Sequence, residues 1–149
     1  GVLQVVSTTS SVPLEEIAAS VDAPRWFQLY HYRDRAISHD LTRRAEAAGY
    51  RAICLTVDTP LLGRRERDQR NRFRLPPGIA FANLEPYAVD WNQSPEKDSA
   101  LERYATAQTD GSLTWEVVGR LRGVTRLPIV LKGILTAEDA RIALEHGVD

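Results

Sequence analysis

The chain has 149 residues, enough for one domain with a buried core, and its 43% hydrophobic content is ordinary for a globular protein. Lys and Arg number 19 against 20 Asp and Glu, a net charge of -1, which removes the electrostatic footprint of a nucleic-acid or anionic-membrane binder. Cys54 is the single cysteine, so no internal disulfide can form, and a reducing cytoplasm is the default expectation, with peripheral membrane association left open.

No apolar run approaches the ~20 residues needed to cross a bilayer, and no basic stretch followed by an apolar one opens the chain. Gly1 leads at once into Val2 to Val6, a valine-rich run without a polar entry that reads as a strand buried on both faces. The chain is therefore expected to begin inside an element. Ser7 to Val12 follows as a polar turn. Pro13 opens a short helix with Leu14, Ile17 and Ala18 on one face, and Glu15 and Glu16 in the first turn, where the helix dipole favours acids. Trp26 to Tyr30 is the second strand. Asp34 to Ala48 reads as a helix, with an apolar stripe of Ala36, Ile37, Leu41, Ala45 and Ala48 and a stop at Gly49. Ala52 to Val57 is the third strand.

From Asp58 to Gly111 the pattern gives no strong strand signal and many breakers, among them Pro60, Gly63, Pro76, Pro77, Gly78, Pro86 and Pro95. A connection this long is usually functional or partly disordered. Leu101 to Ala107 has the composition of a short helix within it. Thr114 to Leu121 resumes helix and Pro128 to Lys132 forms the fourth strand. Thr136 to Glu145 closes the series, with Leu135 and Thr136 ahead of Glu138 and Asp139 as a cap and Gly147 as the stop. Val148 and Asp149 read as the approach to a further strand, so the chain is expected to be cut at both ends.

Strands separated by helices imply right-handed βα units and a parallel sheet. Such sheets place ligand sites at the C-terminal ends of their strands, in barrels and in open sheets alike. Here each apolar run hands over to polar or ionisable groups: Ser7, then Gln28 and Tyr30, then Thr56 and Asp58, then Lys132. Each has a plain structural alternative. Ser7 can cap the next helix, Thr56 suits a strand, and Asp58 can form an Asx turn ahead of Pro60. Lys132 is harder to explain that way, because an ammonium leaving a buried strand end needs a partner, and a bound anionic group would serve.

Four blocks now carry a resemblance: STTSSVPLEEIA at 7 to 18, WFQLY at 26 to 30, LTVDTPLLGRRERDQRNRF at 55 to 73, and LPIVLKGILTAEDARIALEHG at 127 to 147. In order and spacing they resemble the FMN-dependent 2-hydroxy-acid dehydrogenases and oxidases, the family of glycolate oxidase, L-lactate dehydrogenase and mandelate dehydrogenase. The likeness covers nearly the whole chain and is weakest between about residues 79 and 110. It implies that residues 1–149 form a single domain, the central portion of a (β/α)8 TIM barrel. About four consecutive βα units would be present, with a long loop after the third strand and FMN across the C-terminal rim. The implied reaction is oxidation of a lactate, glycolate or mandelate type of 2-hydroxy acid to the 2-oxo acid, with hydride equivalents passing to flavin N5.

Carried over by position, Ser7, Gln28 and Thr56 resemble the family's contacts to the isoalloxazine ring. Lys132 resembles the lysine beside flavin N1 and O2, where a fixed cation stabilises the charge that reduction develops. Tyr30 resembles the tyrosine on the substrate side of the ring. Asp58 resembles the aspartate that supports the catalytic histidine's imidazolium. Arg65 resembles a loop arginine that approaches the substrate carboxylate. The family's histidine base follows the next strand in an Asn-His-Gly segment, with a second arginine close behind; both fall beyond Asp149, so the chain alone is expected to be inactive.

The remaining candidates have bland readings. His31, His39 and His146 have no counterpart as the base and are expected to be structural or solvent-facing. The six arginines between Arg64 and Arg74, interspersed with Glu66 and Asp68, read as a solvated surface, or within the family as a loop that closes on substrate. Thr9 stands where some members carry a bulky aromatic, hinting at room for a larger substrate. Cys54 is expected to be a small core residue. No metal-ligand spacing and no phosphate-cradling glycine loop is present. Two alternatives stay open: a non-catalytic barrel fragment that needs its missing halves, and another FMN-binding TIM-barrel enzyme. The electron acceptor (oxygen, a quinone or a cytochrome) is undetermined, and the parent protein is expected to be a homo-oligomer.

Overall fold

β-Branched and aromatic residues concentrate in four segments, and in a computed structural model all four become strands: β1 (Gln4–Ser7), β2 (Arg25–Tyr30), β3 (Ala52–Thr56) and β4 (Ile129–Lys132). The structure describes residues 2–59, 63, 66–71, 73–87 and 110–149. Helix α1 (Leu14–Ser20) follows β1 and α2 (Arg35–Ala47) follows β2. After β3 come a short α3 (Glu66–Arg70) and a 3-10 turn at Glu85–Tyr87, then α4 (Glu116–Arg122); α5 (Ala137–Glu145) follows β4.

The strands lie in the order β1-β2-β3-β4, and each pair is parallel. A doubly wound sheet reverses its strand order at a switch point. No reversal occurs among the described strands, so these are consecutive units of a (β/α)8 barrel. On the free side of β4 the Asp149 amide donates to Ile129 O at 3.0 Å, where a further parallel strand would pair.

Side chains alternate across a strand, and the register sorts them into two faces. Val6, Phe27, Leu29, Ile53, Leu55 and Ile129 share one face, are all buried, and join the core with Leu14 of α1, Ile37, Leu41 and Ala45 of α2, and Val117 and Leu121 of α4. The opposite face carries Ser7, Gln28, Cys54 and Val130 in one row and Tyr30, Thr56 and Lys132 in the next. In a closed barrel that second face points inward, and its last rows form the mouth.

The helices begin and end where local chemistry directs. Asp34 caps α2 by accepting from Ala36 N–H at 2.9 Å, and Thr136 caps α5 by accepting from Asp139 N–H at 3.0 Å. Gly49 and Gly147 follow their helices with φ of +80° and +75°. Boundaries moved by a residue or two from those expected. Ser7 lies inside β1, not in the following turn, and Pro128 precedes β4, offering only its carbonyl, which accepts from Ile53 N–H at 2.9 Å. Helix α3 and the 3-10 turn were not anticipated; α3 has no buried residue, so no apolar period marks it. The short helix expected at Leu101 to Ala107 lies outside the described residues.

Candidate active site

Ser7, Gln28 and Thr56 form one hydrogen-bonded row across the ends of β1, β2 and β3. Ser7 Oγ donates to Gln28 Oε1 at 3.2 Å, and Gln28 Nε2 donates to Thr56 Oγ1 at 2.8 Å. Thr8 supports that orientation of the amide, because its backbone N–H can only donate and, besides its 3.1 Å bond to Gln28 O, it faces Oε1 at 3.4 Å. Ser7 Oγ also accepts from Thr9 N–H at 3.2 Å. With its own proton committed to Gln28, it accepts from the Thr9 hydroxyl at 3.0 Å as well. The second Nε2 proton of Gln28 and the hydroxyl proton of Thr56 are not spent within this row. Gln28 and Thr56 are 8% and 3% exposed, so these donors are held in a place that water reaches poorly.

In the same register row as Thr56, Lys132 Nζ sits 2.9 Å from Asp58 Oδ2. The partner that the sequence demanded for Lys132 is thus a carboxylate of this chain, and the ammonium is half-exposed, not buried, because it leaves the sheet at β4. Such an exposed pair adds little stability, but it fixes where the charge stands. Gly133 makes the approach possible: its φ is +112°, and a Cβ there would lie 2.5 Å from Asp58 Cβ and 2.8 Å from Cγ. Tyr30 shares the register row of Thr56 and Lys132.

His31, which follows β2, is 7% exposed, and neither ring nitrogen has a hydrogen-bond partner. Burial, then the charge of Arg35, pushes its pKa down to about 4, so the ring is neutral near pH 7 and too weak a base for proton abstraction. Its carbonyl accepts from Asp110 N–H at 3.0 Å. Asp110 in turn takes the Ser112 hydroxyl at 2.6 Å and Arg35 Nη2 at 2.5 Å; those Ser112 bonds first, and Arg35 after them, hold its carboxyl below the usual range. His31 therefore has a structural place, tying the end of the long connection to β2. His39 is half-buried, and His146 is exposed and stacked on Trp115 with centroids 5.5 Å apart. Cys54 is buried beside Gln28, and burial pushes its thiol pKa up, which makes it an inert core thiol.

The structure brings together Ser7, Gln28, Thr56, Lys132 and Asp58, with Tyr30 on the same face. Arg65 lies outside the described residues. A cavity of about 410 Å³ lies on the other face, between β3, β4 and α4, lined by Leu55, Val57, Val117, Val118, Leu131 and Ile134. It is mainly apolar, with Thr114 and Asp139 also on its wall, and it lies on the sheet face opposite the row. Among the described residues no cluster of three or more His, Cys, Asp or Glu could hold a metal ion. The sequence reading missed Asn83, which is fully buried and hydrogen-bonded to the carbonyls of Ser7 and Thr8. The available signal was its position between Phe81 and Leu84, two apolar residues that return the connection to the core.

Comparison with known proteins places this geometry. A family model described as FMN-dependent dehydrogenase matches residues 1–149. Glycolate oxidase of Spinacia oleracea is 47% identical over 148 residues, 99% of this chain and 40% of the relative. Glycolate oxidase 3 of Arabidopsis thaliana is 46% identical over the same shares. The crystal structure of a mandelate oxidase with (S)-4-hydroxymandelic acid aligns with a TM-score of 0.90 at 47% identity, over 99% of this chain and 41% of that one. The chain spans about 40% of the length of the curated relatives it matches. With all of its residues matched and its strands wound as consecutive barrel units, the chain belongs to the FMN-dependent dehydrogenase family.

Proposed function

We propose that this chain forms the flavin-facing part of a complete barrel that oxidises a small 2-hydroxy acid to its 2-oxo acid, with oxygen as the electron acceptor. The observation that carries the proposal is the set of donors left at the strand ends: the second Nε2 proton of Gln28, the Thr56 hydroxyl and the Lys132 ammonium protons that Asp58 does not take. The isoalloxazine ring presents acceptors at N1, O2, O4 and N5, so this donor set suits FMN. The relatives are named glycolate oxidase and mandelate oxidase, which favours both the substrate class and oxygen.

FMN, when bound, supplies the two-electron acceptor for the hydride equivalent leaving the substrate. The chain's own residues do the rest. Ser7 and Thr8 hold the Gln28 amide, and Gln28 and Thr56 orient the ring, with Ser7 adding its own hydroxyl where the ring competes for that proton. Lys132 places a fixed cation where reduction leaves negative charge and so favours the reduced state. Tyr30, on the same face as these groups, directs its hydroxyl to the substrate. Arg65 binds the substrate carboxylate with its planar guanidinium. Asp58 stabilises the charge that develops on a histidine base outside residues 1–149 while keeping Lys132 in place.

The test is oxygen uptake by the complete protein with glycolate, L-lactate and mandelate in turn. Uptake with formation of the 2-oxo acid is expected. In the same preparation Gln28→Leu should bind FMN about 10-fold more weakly, the scale of one lost hydrogen bond in a dry site. A protein that holds no flavin and consumes no oxygen with any of the three acids sinks the proposal.

A further inference from the structure

Asn83 lies on the segment that returns from the long connection after β3, and its side chain is fully buried. Its Oδ1 accepts from Leu14 N–H at 2.8 Å, while its Nδ2 donates to Thr8 O at 3.2 Å and Ser7 O at 3.4 Å. One amide thus grips both ends of the loop between β1 and α1. Pro13, at the N-cap of α1, makes no side-chain capping bond, so Asn83 satisfies an amide at the start of that helix from far along the sequence. The neighbouring Ala82 N–H adds a bond to Ser10 O at 3.0 Å, and Arg44 Nη1 holds Asn83 O at 3.1 Å.

The donors and acceptors admit one orientation only, since Leu14 N–H can only donate and the two carbonyls can only accept. The consequence runs on into the row described above. Thr8, held by its carbonyl, gives its N–H at 3.1 Å and its hydroxyl at 2.5 Å to Gln28 O, and the same N–H also reaches Gln28 Oε1 at 3.4 Å. Gln28 then presents Nε2 to Thr56 at 2.8 Å.

We propose that Asn83 is a positioning residue for the flavin-binding row, acting through Ser7 and Thr8 to hold the Gln28 amide; this rests on the reading of that row as the FMN contact. An Asp at the position sets a carboxylate against two carbonyls. An Ala leaves the buried Leu14 N–H and Thr8 carbonyl without this partner, while the Ser7 carbonyl keeps the Ser10 N–H at 3.1 Å.

The experiment compares Asn83→Ala and Asn83→Ser with Tyr87→Phe in the complete flavoprotein. Tyr87 belongs to the same returning segment and bonds to Asp40 and Arg44, but has no bond to Ser7 or Thr8. The readouts are the FMN dissociation constant by fluorescence, the visible circular dichroism of the bound flavin, and Tm. Asn83→Ala is expected to weaken FMN binding about 10-fold and to change the flavin band, the scale at which partners one step behind a ligand contact act. Tyr87→Phe should lower Tm and leave both flavin readouts within about twofold, well short of one lost contact. In a Gln28→Leu background, Asn83→Ala should add little further loss of affinity. Should Asn83→Ala fail to fold, Asn83→Ser carries the same comparison. If the Asn83 variants lower Tm as Tyr87→Phe does and leave FMN affinity and spectrum unchanged, the inference is overturned while the function stands. If the unmutated protein binds no FMN, both fall.

Discussion

Buried His31 gives the protein a pH response below neutrality. Its pKa falls from 6.5 to about 4, through burial first and Arg35 second, so between those values the unfolded state binds the proton and the folded state does not. Stability is therefore full above the unfolded value and is lost as pH falls from 6.5 toward about 4. His31→Leu should remove that part of the loss. Thermal unfolding of the complete protein at about pH 7.5 and about pH 5 checks it: the drop in Tm on acidification should be smaller in the variant. Equal drops would mean that His31 does not sense the change. At this scale much of the site was readable beforehand. Ser7, Gln28, Thr56 and Lys132 each stand in or at the end of an apolar run, which marks them as candidates, although of the four only Lys132 lacks a plain structural reading. The pairing of Lys132 with Asp58 and the grip of Asn83 on Ser7 were not readable, because each joins residues about 75 positions apart, and no local pattern records such a meeting.

Among the elements, α1, α2 and α5 declare themselves by period and caps: Asp34 and Thr136 at the starts, Gly49 and Gly147 after the ends. Helix α3 does not, since Glu66 to Arg70 buries no side chain; an exposed i,i+4 pair, Arg70 with Glu66, runs along it. The exit from β4 positions the Lys132–Asp58 pair. Gly133 adopts φ +112° with Asp58 packed against the space a side chain would need, 2.5 Å from its Cβ. Gly133→Ala should cost roughly 1–3 kcal/mol from the backbone alone and push Asp58 away from Lys132. Denaturant unfolding measures the first effect. The second should appear as slower flavin reduction at an unchanged substrate dissociation constant. A variant as stable and as fast as the natural protein would show that the close contact has no consequence.

At the scale of the whole molecule, two facts select a barrel over an open sheet: strands in strict sequential order and one sheet face lined with helices while the other carries the polar strand ends. Alternation of strand and helix was legible from hydrophobic periodicity; the order of the strands was not, because the same βα pattern serves both windings. The family resemblance supplied that choice, and the parallel register β1-β2-β3-β4 bears it out. The proposed function depends on this face meeting further barrel units; the relatives are about two and a half times as long as this chain, which covers 40% of them. The direct test is an anaerobic titration of the complete protein with glycolate, L-lactate or mandelate while flavin absorbance is followed, beside a Lys132→Met variant. One of the acids should bleach the flavin, and the variant should bleach about 100-fold more slowly, the loss that follows removal of one preorganised electrostatic contact. A flavin that no 2-hydroxy acid bleaches, or a Lys132→Met variant reduced as fast as the unaltered protein, would contradict the role assigned to these strand ends.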